Sequence, residues 1–247
     1  MIVLKSPPEI DIMRANGQIV VECFELARDF IRPGRSRREL DVAIEALILA
    51  RGGVPAFKGF HGYPAATCIS VNEEVVHGIP DERTLREGDI VGLDVGVFKD
   101  GFYVDSARTI PVGAISRGAQ TLLDVTWDAL ERGIEQARTG NRLTDISHAV
   151  ETRAQQAGFS VVRSLVGHGI GRRMHEDPQV PNFGPPGQGI VLEAGLALAI
   201  EPMVNVGVAE VFTLEDGWTI VTADRSLSAH FEDTVAVTVD GPKILTR

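Results

Sequence analysis

Residues 93–106 read Leu-Asp-Val-Gly-Val-Phe-Lys-Asp-Gly-Phe-Tyr-Val-Asp-Ser, LDVGVFKDGFYVDS. Asp100-Gly101 is a two-residue turn signal between apolar arms that favour strands, and predicts an antiparallel β-hairpin. In that register Asp105 lies opposite Gly96, and Asp94 falls two residues further along the same face. Diagonal neighbours on one face are about 7–8 Å apart, so two carboxylates there can converge on one cation. Gly96 is expected to leave the space opposite Asp105 unfilled. Aspartate is depleted in strands and costly to bury without a partner, so two in one hairpin call for a reason. An edge strand with both side chains in solvent is the plainer alternative, and the hairpin alone leaves it open.

The rest of the chain bounds that reason. A length of 247 residues, 44% hydrophobic and 23% charged, describes a globular protein with a real core. The net charge of −10, with no basic run beyond Arg35, Arg37 and Arg38, argues against nucleic acid as the main partner. Cys23 and Cys68 are too few and too far apart for a disulfide framework or a zinc finger, which suggests a reducing cytoplasm. The opening MIVLKSPPEID turns polar at once, so no signal peptide is expected, and no apolar run reaches transmembrane length.

Helix signals bracket the hairpin. Ser6-Pro7-Pro8-Glu9 opens a helix whose apolar period runs over 10–31, and Pro33-Gly34 stops it. Ser36 and Glu39 form a capping-box pattern for a second helix ending at Gly52-Gly53. Strands are predicted near 66–71, 90–98 and 102–110, and a helix over 116–138. Gly140 and Thr144 introduce a fourth helix that ends at Gly158, after which the chain reads as strands and loops. An offset of 106 positions superposes Gly34 on Gly140, Ala43 on Ala149, Glu45 on Glu151 and Gly52 on Gly158. Such an offset suggests a duplicated unit, although any two capped amphipathic helices share part of the pattern. The expectation is one catalytic domain over 1–247, with a pseudo-repeat of about 6–112 and 113–240 and a site drawn from both halves.

Further candidates lie downstream. Gly167-His168-Gly169-Ile170-Gly171 is GxGxG rather than GxGxxG and no helix pattern follows, so a dinucleotide loop is rejected. Its glycines are expected to let the backbone turn and approach a ligand. His168 and His175 are each more often structural than ligands when taken alone, and no HExxH helix is present. Glu201 and Glu232 stand in segments otherwise fit for burial. Together Asp94, Asp105, His168, Glu201 and Glu232 make one imidazole and four carboxylates, a set suited to Mn²⁺, Fe²⁺, Co²⁺ or Zn²⁺. Four bridging carboxylates can hold two divalent ions roughly 3.5–4 Å apart. A Cys68 nucleophile with His77 has no evident third orienting residue and leaves those five unexplained.

The sequence resembles the type I methionine aminopeptidases, which are pita-bread metallopeptidases. The resemblance spans nearly the whole chain: Cys68-Ile69-Ser70-Val71-Asn72 with Val76-His77-Gly78-Ile79-Pro80, the Asp94/Asp105 hairpin, Gly167-His168-Gly169-Ile170-Gly171 through His175-Glu176, Ile200-Glu201-Pro202, and Ser228-Ala229-His230-Phe231-Glu232. It implies an α+β fold of two pseudo-symmetric halves, each two helices plus strands, around a central antiparallel sheet. It implies that the five residues above ligate two divalent metals, and that Glu201 is general base. By resemblance His77 and His175 contact the substrate, while Phe60, Tyr63, Cys68, His77, Met174 and Trp218 surround its methionine side chain.

The implied reaction removes the N-terminal methionine from peptides and nascent chains, with the ribosome a candidate setting, favouring a small second residue. A cytoplasmic monomer, without nucleic-acid or membrane partners, completes the expectation. The extra N-terminal domain of X–Pro-cleaving relatives is not expected, since the first helix starts near Ser6. Only 32 residues separate His168 from Glu201, too few for the helical insertion of the type II enzymes. Met174 stands where the family usually has an aromatic residue, and His230 where glutamine is common. An X–Pro aminopeptidase and a non-catalytic adaptor are the competing readings.

Overall fold

The computed structural model describes residues 2–247. Helix α1 spans Pro7–Phe30, and the Glu9 carboxylate reaches back to accept from the Ser6 N–H at 2.8 Å. Helix α2, Arg37–Ala50, starts with the expected reciprocal box: Glu39 N–H donates to Ser36 Oγ at 3.1 Å, and Ser36 N–H to Glu39 Oε2 at 3.3 Å. Helix α3, Arg117–Gln136, is capped by Ser116. Helix α4, Leu143–Gln156, departs from expectation at its start. Arg142 is the capping position, its N–H held by Asp145 Oδ2 at 2.8 Å. Thr144 instead ties α4 to the Pro/Gly-rich loop, donating to Gln188 O at 3.1 Å.

The hairpin forms as the turn chemistry requires. Its arms are Ile90–Lys99 and Phe102–Pro111, with Gly96 opposite Asp105 and Asp94 opposite Ala107. Asp100 and Gly101 take φ of 50° and 82°, the left-handed pair of a twist-compatible hairpin turn. The expectation of an unfilled space beside Gly96 is wrong. A Cβ there would come within 2.8 Å of the Phe57 ring and 2.9 Å of the Ala56 Cβ. The missing side chain admits Phe57 rather than leaving a void.

Among the described residues the main sheet has nine strands, all paired antiparallel. From the hairpin it continues through Glu232–Thr238, Ala197–Ile200, Gly167–Gly169 and Glu176–Val180. Cys68–Val71 pairs on the outer side of the first hairpin arm. Each helix pair covers its own part of this sheet. Met13, Val20, Leu40 and Ile44 of α1 and α2 bury against Leu93, Val95 and Val104. Leu122, Leu130, Ile146 and Val150 of α3 and α4 bury against Leu198, Ile200 and Val235. Each such side chain stabilises the fold by about 1.5–3 kcal/mol.

Strand alternation does the rest: the odd residues of the first arm face the helices, which turns Asp94 and Gly96 to the other side. The residue pairs aligned by the 106-position offset include Gly34 with Gly140 and Gly52 with Gly158, and all four have left-handed φ between 72° and 93°. No helix among the described residues is long and apolar enough to cross a membrane.

Candidate metal centre and substrate cavity

Five strands deliver five side chains to one place. Asp94 and Asp105 come from the two hairpin arms, Glu232 from the strand paired with the second arm, His168 and Glu201 from or just beyond the next two strands. All five line one cavity of about 270 Å³. One atom from each of Asp105, His168 and Glu232 lies within 4.8 Å of the others, and Glu201 Oε1 is 3.6 Å from His168 Nε2. His168 is aimed by a register shift against Glu176–Val180 directly after it.

Two of the glycines around His168, Gly167 and Gly169, lie tight against neighbouring strands. A Cβ on Gly167 would lie 2.4 Å from Ala199 O, and one on Gly169 would lie 2.2 Å from Asp177 O. They let three strand backbones close up around the histidine.

The electrostatics call for cations. Burial pushes the Asp94, Glu201 and Glu232 carboxyls well above the usual range, and neighbouring Asp105 raises all three further. Asp105 itself is pushed up to about 7, first by burial, while a hydrogen bond shared with Asp94 holds it down. Oδ1 of Asp94, Oδ1 of Asp105 and Oε1 of Glu232 are buried without any hydrogen-bond partner. Burial lowers His168 to about 3, so its ring is neutral. The ring Nδ1 sits 2.9 Å from Gly169 O, which fixes the proton there and leaves the Nε2 lone pair toward the acids. Three orphaned carboxylate oxygens, a fourth carboxylate and one oriented imidazole fit divalent metal ions. Among the described residues, Asp94 Oδ1, Asp105 Oδ1 and Glu232 Oε1 have no lysine or arginine to answer them.

The same cavity continues into an apolar end. Tyr63, Cys68 and Met174 are buried there, with Phe60 and Trp218 packed against them. The Tyr63 hydroxyl donates toward Thr67 O and Gly78 O at 3.1 and 3.0 Å, and its ring meets Trp218 edge-on at 5.1 Å. Burial raises both the Tyr63 phenol and the Cys68 thiol. A protonated Cys68 beside Asp94 is a poor nucleophile. His77 and His175 line the cavity too, and burial lowers both rings.

His77 holds a left-handed φ of 58°, a strained conformation for a residue with a Cβ. The structure thus brings every sequence-selected side chain to one cavity, and adds Phe57 and His61. Phe57 enters through the gap at Gly96, a consequence of packing with no mark in the sequence.

The whole chain is similar to known proteins. The model of the metallopeptidase family M24 matches residues 11–239. A methionine aminopeptidase of Clostridium perfringens is 53% identical over 246 residues, covering 100% of this chain and 99% of that one. Methionine aminopeptidase 1 of Bacillus subtilis is 49% identical, with full coverage of both. The crystal structure of a methionine aminopeptidase from Thermotoga maritima superposes with a TM-score of 0.98 at 45% identity, covering 100% of both chains. With a family match over most of its length, and relatives of this identity end to end, the chain belongs to the M24 metallopeptidases.

Proposed function

We propose that this protein is a methionyl aminopeptidase that hydrolyses the first peptide bond of peptides beginning with methionine. One observation carries the reading: a carboxylate-rich, partner-poor cluster and an apolar slot share one cavity. Asp94, Asp105, His168, Glu201 and Glu232 would hold two divalent ions, drawn from Mn, Fe, Co or Zn. Two such ions carry four positive charges, which offset the four carboxylates. Bound ions would supply Lewis acidity and a water of lowered pKa.

The chain's own groups complete the chemistry. The substrate's amino group sits toward Asp94, which limits cleavage to the chain end. Its side chain enters the slot between Tyr63, Cys68, Met174 and Trp218, under Phe60. The unbranched Met174 can adapt to that chain. Glu201 takes a proton from the attacking water and delivers it to the leaving amine. His77 orients the peptide backbone, and His175 donates to the developing oxyanion.

Crowding beside the slot gives the preference for a small second residue. The four left-handed glycines at the repeat spacing support one domain built from two related halves, about 6–112 and 113–240. The working setting is the cytoplasm, as a monomer acting on peptides and nascent chains.

The test is release of free methionine from Met-Ala-Ser by metal-stripped protein, before and after Mn²⁺ or Co²⁺. Metal-dependent release with Ala-Pro-Ala untouched is the expected result. Cleavage of Ala-Pro-Ala instead would move the protein to the X–Pro branch. Silence on both, in protein that binds metal, would leave a binding module.

A further inference from the structure

Behind the metal centre lies a second buried charge cluster that the reaction above does not use. Asp233 follows Glu232 on the same strand, so its side chain points to the opposite face. It is fully buried and held by two arginines. Arg108 Nη2 donates to its Oδ1 at 2.7 Å, and Arg247 Nε donates to its Oδ2 at 2.9 Å. The Thr246 hydroxyl adds a bond to Oδ1 at 2.8 Å.

Arg108 then grips the residue before. Its Nη1 donates to Glu232 O at 2.5 Å, and the Ser106 hydroxyl donates to the same carbonyl at 2.6 Å. Both guanidinium groups lie over the Trp127 ring, Arg108 at 5.2 Å and Arg247 at 4.3 Å. The backbone of Glu232 is therefore fixed from behind, while its Oε1 stands buried and unpartnered in front.

We propose that Asp233, clamped between Arg108 and Arg247, is a positioning residue that sets the Glu232 carboxylate for metal binding. The terminal segment carrying Thr246 and Arg247 thereby tunes metal affinity, although it lies outside the cavity. An ion pair serving only stability would leave metal affinity untouched when loosened. Residues that orient metal ligands cost about 10- to 100-fold in metal affinity or activity when changed. The inference rests on Glu232 being a ligand.

The experiment is calorimetric titration of metal-stripped protein with Mn²⁺. Arg247 is partly exposed, so Arg247→Ala is the tolerable first variant. Its Mn²⁺ affinity is expected to fall about tenfold, with KM for Met-Ala-Ser within twofold at saturating metal. Arg247→Lys should recover most of the loss. In an Asp233→Asn background, Arg247→Ala should add little, because the two act through one contact. Should Arg247→Ala fail to fold, Thr246→Val removes the bond to Asp233, together with the one Thr246 accepts from Thr234 N–H, and should lower affinity by roughly threefold.

Full Mn²⁺ affinity in the variant, alongside a lowered melting temperature, would overturn the proposal and leave a structural staple. Glu232→Ala is the control that separates the two levels. If it too keeps full affinity, the metal assignment itself falls, and this proposal with it.

Discussion

Glu232 and Asp233 are adjacent carboxylates on one strand, both buried, with opposite surroundings. Asp233 meets two guanidinium groups and a hydroxyl. Glu232 meets Asp105, Glu201 and Asp94, each of which pushes its carboxyl further up. One face of the sheet satisfies its charge with protein; the other gathers like charges and leaves their oxygens orphaned. Burial alone does not mark a functional acid. The distinguishing sign is a shortage of partners, since buried polar groups are otherwise nearly always paired.

The strongest way to break this comparison is to remove the cavity acids. Asp105→Ala and Glu232→Ala should each lower methionine release by about a thousandfold or more, some 4 kcal/mol in the barrier, with reduced metal content. Near-normal turnover in both would sink the metal assignment. Neither change should destabilise the metal-free fold, because each removes repulsion. Asp233→Ala should do the reverse. It leaves two arginines without their buried partner and should cost about 3 kcal/mol in urea unfolding of the metal-free protein. A loss under about 1 kcal/mol would show that the two faces are less different than drawn.

A smaller effect separates ligand from substrate contact among the histidines. His168 is held by Gly169 O, whereas His77 points into the cavity from a strained backbone. His77→Ala should slow turnover by about a hundredfold while metal content stays unchanged. Loss of metal in that variant would make His77 a ligand instead.

The hairpin was legible because its information is local. Asp100-Gly101 sets the register, and the register sets which face each aspartate takes. The helices were legible from caps for the same reason, except α4, where Thr144 serves a loop 44 residues away instead of the helix end. What stayed hidden depends on distant partners. Phe57 fills the gap at Gly96 from the segment just after the neighbouring strand Val54–Pro55. The glycines flanking His168 answer to carbonyls of neighbouring strands, a packing demand that the GxGxG spacing alone does not reveal. Asp233 draws its partners from 125 residues back and 14 ahead, and no spacing rule connects them.

The gentlest probe leaves every residue in place and varies pH without metal. Asp94, Glu201 and Glu232 have folded values well above those of the open chain, and Asp105 is raised to about 7. A carboxyl raised in this way keeps a proton in the folded state that the unfolded chain has already released. Stability then falls as pH rises, by about 1.4 kcal/mol per pH unit for each retained proton.

The histidines work the other way. His77, His168, His175 and His230 are all lowered, so they weaken the fold only as pH drops below about 6.5, where the unfolded rings charge. The two contributions overlap in acid but separate above pH 6.5, where the carboxyls act alone until the thiols of the unfolded chain begin to ionise near 8.5. Metal-free protein should therefore lose melting temperature as pH rises above 6.5, and saturating Mn²⁺ should abolish or reverse the slope, because the ions bind the deprotonated acids. Glu232→Gln should make that slope shallower, because it removes one of the four raised carboxyls and leaves the other three. A metal-free protein whose stability is level across this window would mean that the cavity acids are not held protonated, and the contrast between the two faces of the strand would lose its electrostatic basis.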